Sequence, residues 1–418
     1  MTLHILMFGW EFPPRMSGGL GTACYGLTKA LTGFGHRITF VLPRDGERST
    51  APFLDLRSAS DIRVSEADRD PAIETLLRRL TFRPLPSLLH PYLRPSHYHA
   101  LYRKRSSEAA GVYGPDLIAE VLRYSRAGGV LARVLSFDII HAHDWMTIPA
   151  ALLARRISGR PLVLHIHSLE YDRSGEAVNE EICAIERAGL QRADRIIAVS
   201  HRTKRMIAER YGADPRKISV IHNAVSQAEA KGARRGKQDR ERKTVLFLGR
   251  VTFQKGPDYF VEAASLVLKT LPDVTFVMAG EGDMMKQMIE RVAELGIGDR
   301  FHFTGFLQGE EIERIFSLSD LYVMPSVSEP FGISPLEAML YDVPVIISRQ
   351  SGVSEILRHA LKVDFWNVRE TADKIIAVLR HPALARVMTT KALDEIRRIR
   401  WENVAERIES VYRGLAPE

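Results

Sequence analysis

The chain has 418 residues, more than one hydrophobic core usually supports, so two domains of roughly 200 residues each are expected. Hydrophobic residues make up 45% and charged residues 26%, the balance of a soluble globular protein, and no apolar run approaches the ~18 residues of a membrane span, which leaves at most a peripheral membrane contact. A net charge of +7 suits anionic ligands such as nucleotide diphosphates, but the basic residues are scattered and no nucleic-acid motif accompanies them; the two cysteines, Cys24 and Cys183, fall in expected helices and fit a reduced, cytoplasmic setting better than a disulfide scaffold.

The first apolar run, His4 to Phe8, reads as a strand ended by Gly9, without the basic flank or cleavage site of a signal peptide. After Trp10-Glu-Phe-Pro-Pro14 comes Ser17-Gly18-Gly19-Leu20-Gly21, opening a helix from about Thr22 to Gly33. Glycines there let backbone approach a diphosphate while the helix N-terminus supplies positive potential, although a plain tight turn has the same composition. Arg37 to Leu42 is the next strand. Asp68-Arg-Asp70 has a metal-binding form, but no strong strand leads into it and it reads as a solvated turn. From Leu76 to about residue 110 the pattern breaks: Pro84, Pro86, Pro91 and Pro95 accompany Phe82, Tyr92, Tyr98, Tyr102 and several arginines, an insertion at the edge of the first domain or a disordered flap.

Strands at Ile139 to His141, Leu162 to His167, Ile196 to Val199 and Ile218 to Ile221 alternate with helix-period segments, which argues for parallel βαβ units in an open, doubly wound sheet. His141 with His143, and His165 with His167, form two alternating pairs at strand ends, each on one face. Such pairs could nest a metal in a hydrolase, but no carboxylate-rich partner follows at ligand spacing. Residues 228–243 hold almost nothing able to fill a core and read as a linker.

A second alternating series follows: Thr244 to Leu248, Thr275 to Ala279, Arg300 to Phe303, Leu321 to Met324 and Val345 to Ser348. Gly249-Arg250-x4-Lys255-Gly256 sits between the first of these strands and a helix, where two preorganised cations would stabilise charge departing on a phosphate. Gly280-Glu-Gly282 lacks the third glycine of a dinucleotide fingerprint. Behind Leu321 to Met324 lies Glu329-Pro-Phe-Gly-Ile-Ser-Pro-Leu-Glu337, with Ser334, Pro335 and Glu337 expected as N-cap, N1 and N3 of a capping box. Gly332 leaves backbone open to a ligand at that helix N-terminus.

The E-P-F-G-x-x-x-L-E stretch from Glu329 to Glu337 resembles the signature of the retaining glycosyltransferases of family 4, relatives of the bacterial glycogen synthases. The resemblance extends over Ser17 to Gly21, His141-Ala-His-Asp144-Trp145, His167, Gly249 to Gly256 and Trp401, nearly the whole chain. It implies an α/β chain of the GT-B fold: two Rossmann-like doubly wound parallel-sheet domains facing across a cleft, an acceptor-side domain over 1–227, a linker over 228–243, a nucleotide-sugar domain over 244–395 and a C-terminal helix, 396–418, returning to the first domain. The activity implied is transfer of a sugar from a nucleotide-diphosphate donor to an acceptor hydroxyl, with retention and without a metal or other cofactor.

The resemblance also assigns roles. Arg250 and Lys255 would clamp the diphosphate, Glu337 would accept the ribose hydroxyls, and Phe303 to Phe306, with Gly305 and Phe306 foremost, would meet the base. Gly18, Gly19, Phe331, Gly332 and Ile333 complete the donor-binding set. Glu329 would hold the sugar's hydroxyls on the face opposite the acceptor, in a front-face reaction where the departing phosphate oxygen takes the acceptor proton. Asp144 and His167 would touch the transferred sugar, leaving His141, His143 and His165 structural. Where the glycogen synthases carry a phosphate-contacting lysine this chain has Met16, beside Arg15; His222-Asn-Ala-Val225 departs likewise from the family's P-N-G-V-D segment. The opening Trp10-Glu-Phe-Pro-Pro14 and the Gly18-Gly-Leu20 element look closest to glucan-forming relatives, which suggests ADP- or UDP-linked glucose and a sugar or glucan acceptor, while mannosyl and sucrose-type transferases share much of the same motif set. The alternatives are the histidine-based metal hydrolase and a non-catalytic GT-B carbohydrate or nucleotide binder.

Overall fold

The computed structural model describes residues 2–13, 18–43, 51–78, 117–226 and 242–415. Arg15, Met16, the expected insertion beyond residue 78 and the expected linker up to residue 241 lie outside the described residues. The chain divides into two compact units, Met1–His222 with Trp401–Glu418, and Asn223–Arg400.

The first unit is built on seven strands: β1 (His4–Phe8), β2 (Arg37–Leu42), β3 (Asp55–Ser58), β4 (Ile139–His143), β5 (Leu162–Ile166), β6 (Arg195–Ala198) and β7 (Ile218–Val220). Their order is β3-β2-β1-β4-β5-β6-β7 and all pairs are parallel. A parallel sheet is covered on both faces, and β1, β4 and β5 are accordingly continuous apolar or histidine-bearing runs buried along nearly their whole length. Asp55-Leu-Arg-Ser escapes a search for apolar runs because β3 pairs on one side only and stays partly exposed.

The second unit has six strands, β8 (Thr244–Leu248), β9 (Thr275–Ala279), β10 (Phe301–Gly305), β11 (Leu321–Met324), β12 (Val345–Ser348) and β13 (Leu361–Val363), again all parallel, in the order β10-β9-β8-β11-β12-β13. In each sheet the strand order reverses once, between β1 and β4 and between β8 and β11. The loops leaving these strands at their carboxyl ends part to opposite sides there, and the gap between them is where open α/β sheets bind ligands. Residues 9–13 and Gly18 follow β1, Asp144 follows β4, Gly249 to Gly256 follow β8 and Pro325 to Ile333 follow β11.

The helix Trp401–Arg413 belongs to the first unit, where it packs on the helix Gly19–Gly33. Gly26 makes this possible: a Cβ there would come within 2.3 Å of the Trp401 indole. Arg407 ties the same helix to the Val220 carbonyl at 2.6 Å. Among the described residues no helix is long and apolar enough to cross a membrane.

The structure corrects several local expectations. The first helix begins at Gly19, three residues earlier than Thr22, so Gly18 is its N-cap. The strand β4 runs on through His143, and β5 ends at Ile166, leaving His167 just past the sheet. Asp68-Arg-Asp70 is not a solvated turn. Asp70 is 3% exposed and caps the helix Pro71–Arg78, accepting the N–H groups of Ala72 and Ile73 at 2.9 and 3.1 Å, while Asp68 accepts from Arg133.

Candidate active site

In the second unit β8 opens into a loop that closes with the short turn Phe253–Lys255 and Gly256. Gly256 has φ +63°, and a Cβ there would meet the Pro325 carbonyl oxygen at 2.3 Å, so the loops after β8 and β11 touch at this point only because the residue is glycine. Gln254 extends the contact. Its carbonyl accepts the Val327 and Ser328 N–H groups at 3.0 and 3.4 Å, and its side chain accepts from Arg250 Nη2 at 3.1 Å. This seam brings the Lys255 ammonium onto the Glu329 carboxylate. Glu329 is no solvated loop residue: it is 6% exposed, its N–H is bonded to the Gln350 carbonyl at 3.0 Å, and its own carbonyl accepts from Gly352 at 2.9 Å. The expected Arg250, Lys255 and Glu329 thus form one group on interlocked loops.

The capping box expected at Ser334 does not form. The short helix Ser334–Leu340 has Ile333 at its N-cap with no side-chain bond. The Ser334 hydroxyl is engaged instead with the Tyr322 phenol, which burial and the neighbouring Glu329 and Glu337 hold far above its ordinary pKa. The Glu337 N–H bonds to the Ile333 carbonyl at 3.1 Å, placing Glu337 a turn inside the helix. Phe331 and Gly332 lie between Glu329 and this helix, with the Phe331 carbonyl accepting from Val353 at 2.7 Å. The expected base-side residues end β10: Gly305 has φ +74° and accepts from the Gly280 N–H at 2.8 Å, and Phe306 is 44% exposed.

In the first unit Gly18 and Gly19 are exposed at the start of their helix, and a Cβ on Gly18 would meet nothing within 4 Å. Asp144 opens the helix Asp144–Ser158 at φ +58°, a conformation costly for a residue with a side chain. At 2% exposure, its Oδ1 accepts the N–H groups of His167 and Ser168 at 2.7 and 3.3 Å, so Asp144 holds the start of the loop on which His167 sits.

The four histidines form a packed set. His143 and His165 are register neighbours across β4 and β5. His141 Nδ1 meets the Tyr412 hydroxyl at 2.5 Å and its Nε2 meets His165 Nδ1 at 3.3 Å, while His143 Nδ1 meets His167 Nε2 at 2.9 Å. Burial lowers all four pKa values, to about 3 for His141 and His167, which keeps the rings neutral at physiological pH. Ring nitrogens of His141, His143 and His165 lie within 4.8 Å of one another. Tetrahedral zinc with bonds of about 2.0–2.1 Å needs donors roughly 3.4 Å apart, a spacing that the His141–His165 pair meets at 3.3 Å. A hydrolytic metal also needs an open coordination position, whereas these three side chains are fully buried and partly committed to one another and to Tyr412. His141, His143 and His165 are thus a buried group able to approach a metal ion, packed against one another and against His167.

Sequence reasoning missed Gln254, whose importance is a matter of long-range contact. It also missed Arg173 and Glu186, buried beside the His167 loop; the only advance signal was the Glu170-to-Arg173 helical spacing.

The model of glycosyltransferase family 4 matches residues 17–229, and that of glycosyl transferases group 1 matches residues 231–394. The chain is 28% identical to an uncharacterized glycosyltransferase of Methanocaldococcus jannaschii over 430 aligned positions, covering 98% of each chain. It is 27% identical to a glycogen synthase of Mycobacterium tuberculosis over 98% of this chain and 94% of that one. Among solved structures, sucrose-phosphate synthase from Thermosynechococcus elongatus superposes with a TM-score of 0.73 at 20% identity, over 99% of both chains.

Proposed function

This chain belongs to glycosyltransferase family 4 and is a nucleotide-sugar-dependent glycosyltransferase of the GT-B fold, and we propose that it moves glucose from ADP- or UDP-glucose to a hydroxyl of a sugar or glucan acceptor, with retention of configuration. The observation that carries this reading is the Lys255–Glu329 contact with Arg250 on the adjoining turn. Cleavage of the sugar–phosphate bond places charge on the leaving diphosphate. Two cations on interlocked loops, tied to the Gln254 and Glu329 side chains, would stabilise that charge with little reorganisation, so they favour the transition state over the ground state. Glu329, fixed by bonds at its own N–H and carbonyl, would orient the sugar's hydroxyls beside the bond that breaks. Glu337 would accept the ribose hydroxyls, and Gly305 with Phe306 would meet the base.

The same reading gives the departing phosphate oxygen the acceptor's proton, and the cations do the work a divalent metal does elsewhere. Turnover should accordingly survive EDTA. The two buried free thiols, Cys24 and Cys183, support a cytoplasmic setting. A screen of the purified protein against a panel of nucleotide sugars, with and without short glucans, tests the proposal. We expect turnover with ADP- or UDP-glucose, stimulated by glucan and indifferent to chelator. Turnover confined to a mannose donor, or to metal-loaded protein, would overturn it.

A further inference from the structure

A buried charge cluster in the first unit lies outside the residues that match the family's motifs. Glu170, Arg173 and Glu186 are 1%, 2% and 0% exposed. Arg173 Nε donates to Glu170 at 3.1 Å and its Nη2 to Glu186 at 2.8 Å, while its Nη1 donates to the Ser168 carbonyl at 3.0 Å. Glu186 also accepts the Glu170 N–H at 3.0 Å and the Tyr211 phenol. Glu170 takes the Ser174 hydroxyl at 2.8 Å and the Asn179 N–H at 3.1 Å. Two carboxylates confined with one guanidinium exceed what that cation neutralises, and a cluster so placed needs a reason beyond stability, since well-packed apolar groups of the same volume would often serve stability as well.

The reason lies in what the cluster grips. The N–H groups of His167 and Ser168 bind Asp144, that of Leu169 binds Asp172 at 3.0 Å, and that of Glu170 binds Glu186. The Ser168 carbonyl binds Arg173. Four consecutive amides and the carbonyl among them are thereby fixed by side chains on the first turn out of the sheet. Loops normally leave such groups to water, so this one is held in a single course.

We propose that Arg173 and Glu186 are positioning residues of the transferase, fixing the segment from His167 to Glu170 so that the His167 imidazole meets the transferred sugar in one orientation. This rests on the role given to His167 above. The cluster carries a titration as well. Burial first, and Glu170 second among the raising influences, push Glu186 up to about 7 against Arg173 and the Tyr211 hydroxyl; on its own helix the Cys183 thiol lies near the same carboxylate, Glu180 near that thiol, and the Arg187 guanidinium over the Tyr211 ring at 5.8 Å.

The test measures kcat, donor KM and the pH dependence of kcat for His167→Ala, Arg173→Met, Arg173→Lys and Glu186→Gln in the full chain, with calorimetric titration of UDP and ADP. We expect His167→Ala and Arg173→Met each to lower kcat at least tenfold while nucleotide affinity stays within twofold, with Arg173→Lys recovering part of the loss. We also expect an inflection near pH 7 in wild-type kcat that Glu186→Gln, fixed neutral, abolishes. A folded Arg173→Met enzyme with wild-type kcat, beside an impaired His167→Ala, would overturn the inference and leave the function of His167 standing. Wild-type kcat in His167→Ala would instead remove the premise. Should Arg173→Met not fold, Arg173→Lys and Glu186→Gln decide: folded variants that both keep wild-type kcat overturn the proposal.

Discussion

Lys255 and Glu329 are 74 positions apart in sequence and in contact in the fold. Removing the cation has two separable effects. We expect Lys255→Ala and Arg250→Ala each to reduce kcat by roughly 10²- to 10³-fold, about 2.7–4 kcal/mol of transition-state stabilisation, under saturating donor. Lys255→Ala should also lower folding stability by about 1–3 kcal/mol, because it strands a carboxylate that is nearly out of water; Arg250→Ala, which leaves Glu329 its lysine, should lower it by less. Denaturant midpoints separate the two, and equal stability of both variants would show that the ion pair is solvated. Glu337→Gln should weaken nucleotide diphosphate binding about tenfold, ~1.4 kcal/mol, by turning an anionic acceptor into an amide. Unchanged calorimetric affinity would place Glu337 away from the ribose. The identities of these residues were legible from motif and spacing, but their partners were not. Ser334 shows why: a serine before proline at a helix start satisfies the local rule for an N-cap, and it was the Tyr322 hydroxyl, brought up by the adjacent strand, that took it.

At the level of elements, the strands most reliably legible were those whose burial is two-sided. The strands β1, β2, β8, β9, β11 and β12 stand where continuous apolar runs place them, since a parallel strand covered on both faces can afford few polar residues. Asp55-Leu-Arg-Ser and Leu361-Lys-Val, the β3 and β13 edges, carry no such run, because an edge strand is paired on one side only. The final helix and its return to the first domain were implied by the resemblance that includes Trp401, but the seat was not: what receives the indole is the absence of a side chain at Gly26. Gly26→Ala should therefore destabilise the first unit by about 1–3 kcal/mol through overpacking, despite alanine's better helix propensity. Thermal unfolding in which Gly26→Ala equals or exceeds the wild type would show that the Trp401 ring moves aside without cost.

For the molecule as a whole, acid is the revealing stress. His141, His143 and His165 are neutral when folded and protonate when exposed, so each has a folded pKa below the ~6.5 of the unfolded chain and its contribution is lost as pH falls below 6.5. Glu186 runs the other way. Its folded value is raised from 4.5 to about 7, so its contribution is present below 4.5 and lost as pH rises through 7. Between about pH 6.5 and 4.5 the two effects oppose, and Glu186→Gln should steepen the acid loss of stability by up to roughly 1.4 kcal/mol per pH unit relative to wild type. Parallel stability curves for the two proteins across that window would place Glu186 in water. None of this was legible in the sequence, where His141 to His167 present alternation but no depth.

The docking of Trp401 to Arg413 on the first unit also fixes an order of events during synthesis. Residues 223–400 form a complete compact unit spliced into the middle of another, so the second unit can fold as soon as it has been made. The first unit cannot: until residue 401 and its successors emerge, the surface over Gly26 and the Tyr412 partner of His141 stay uncovered. The earlier-made part is thus the later to finish, with an apolar seat exposed for the time it takes to translate some 180 residues at about 5–20 residues per second.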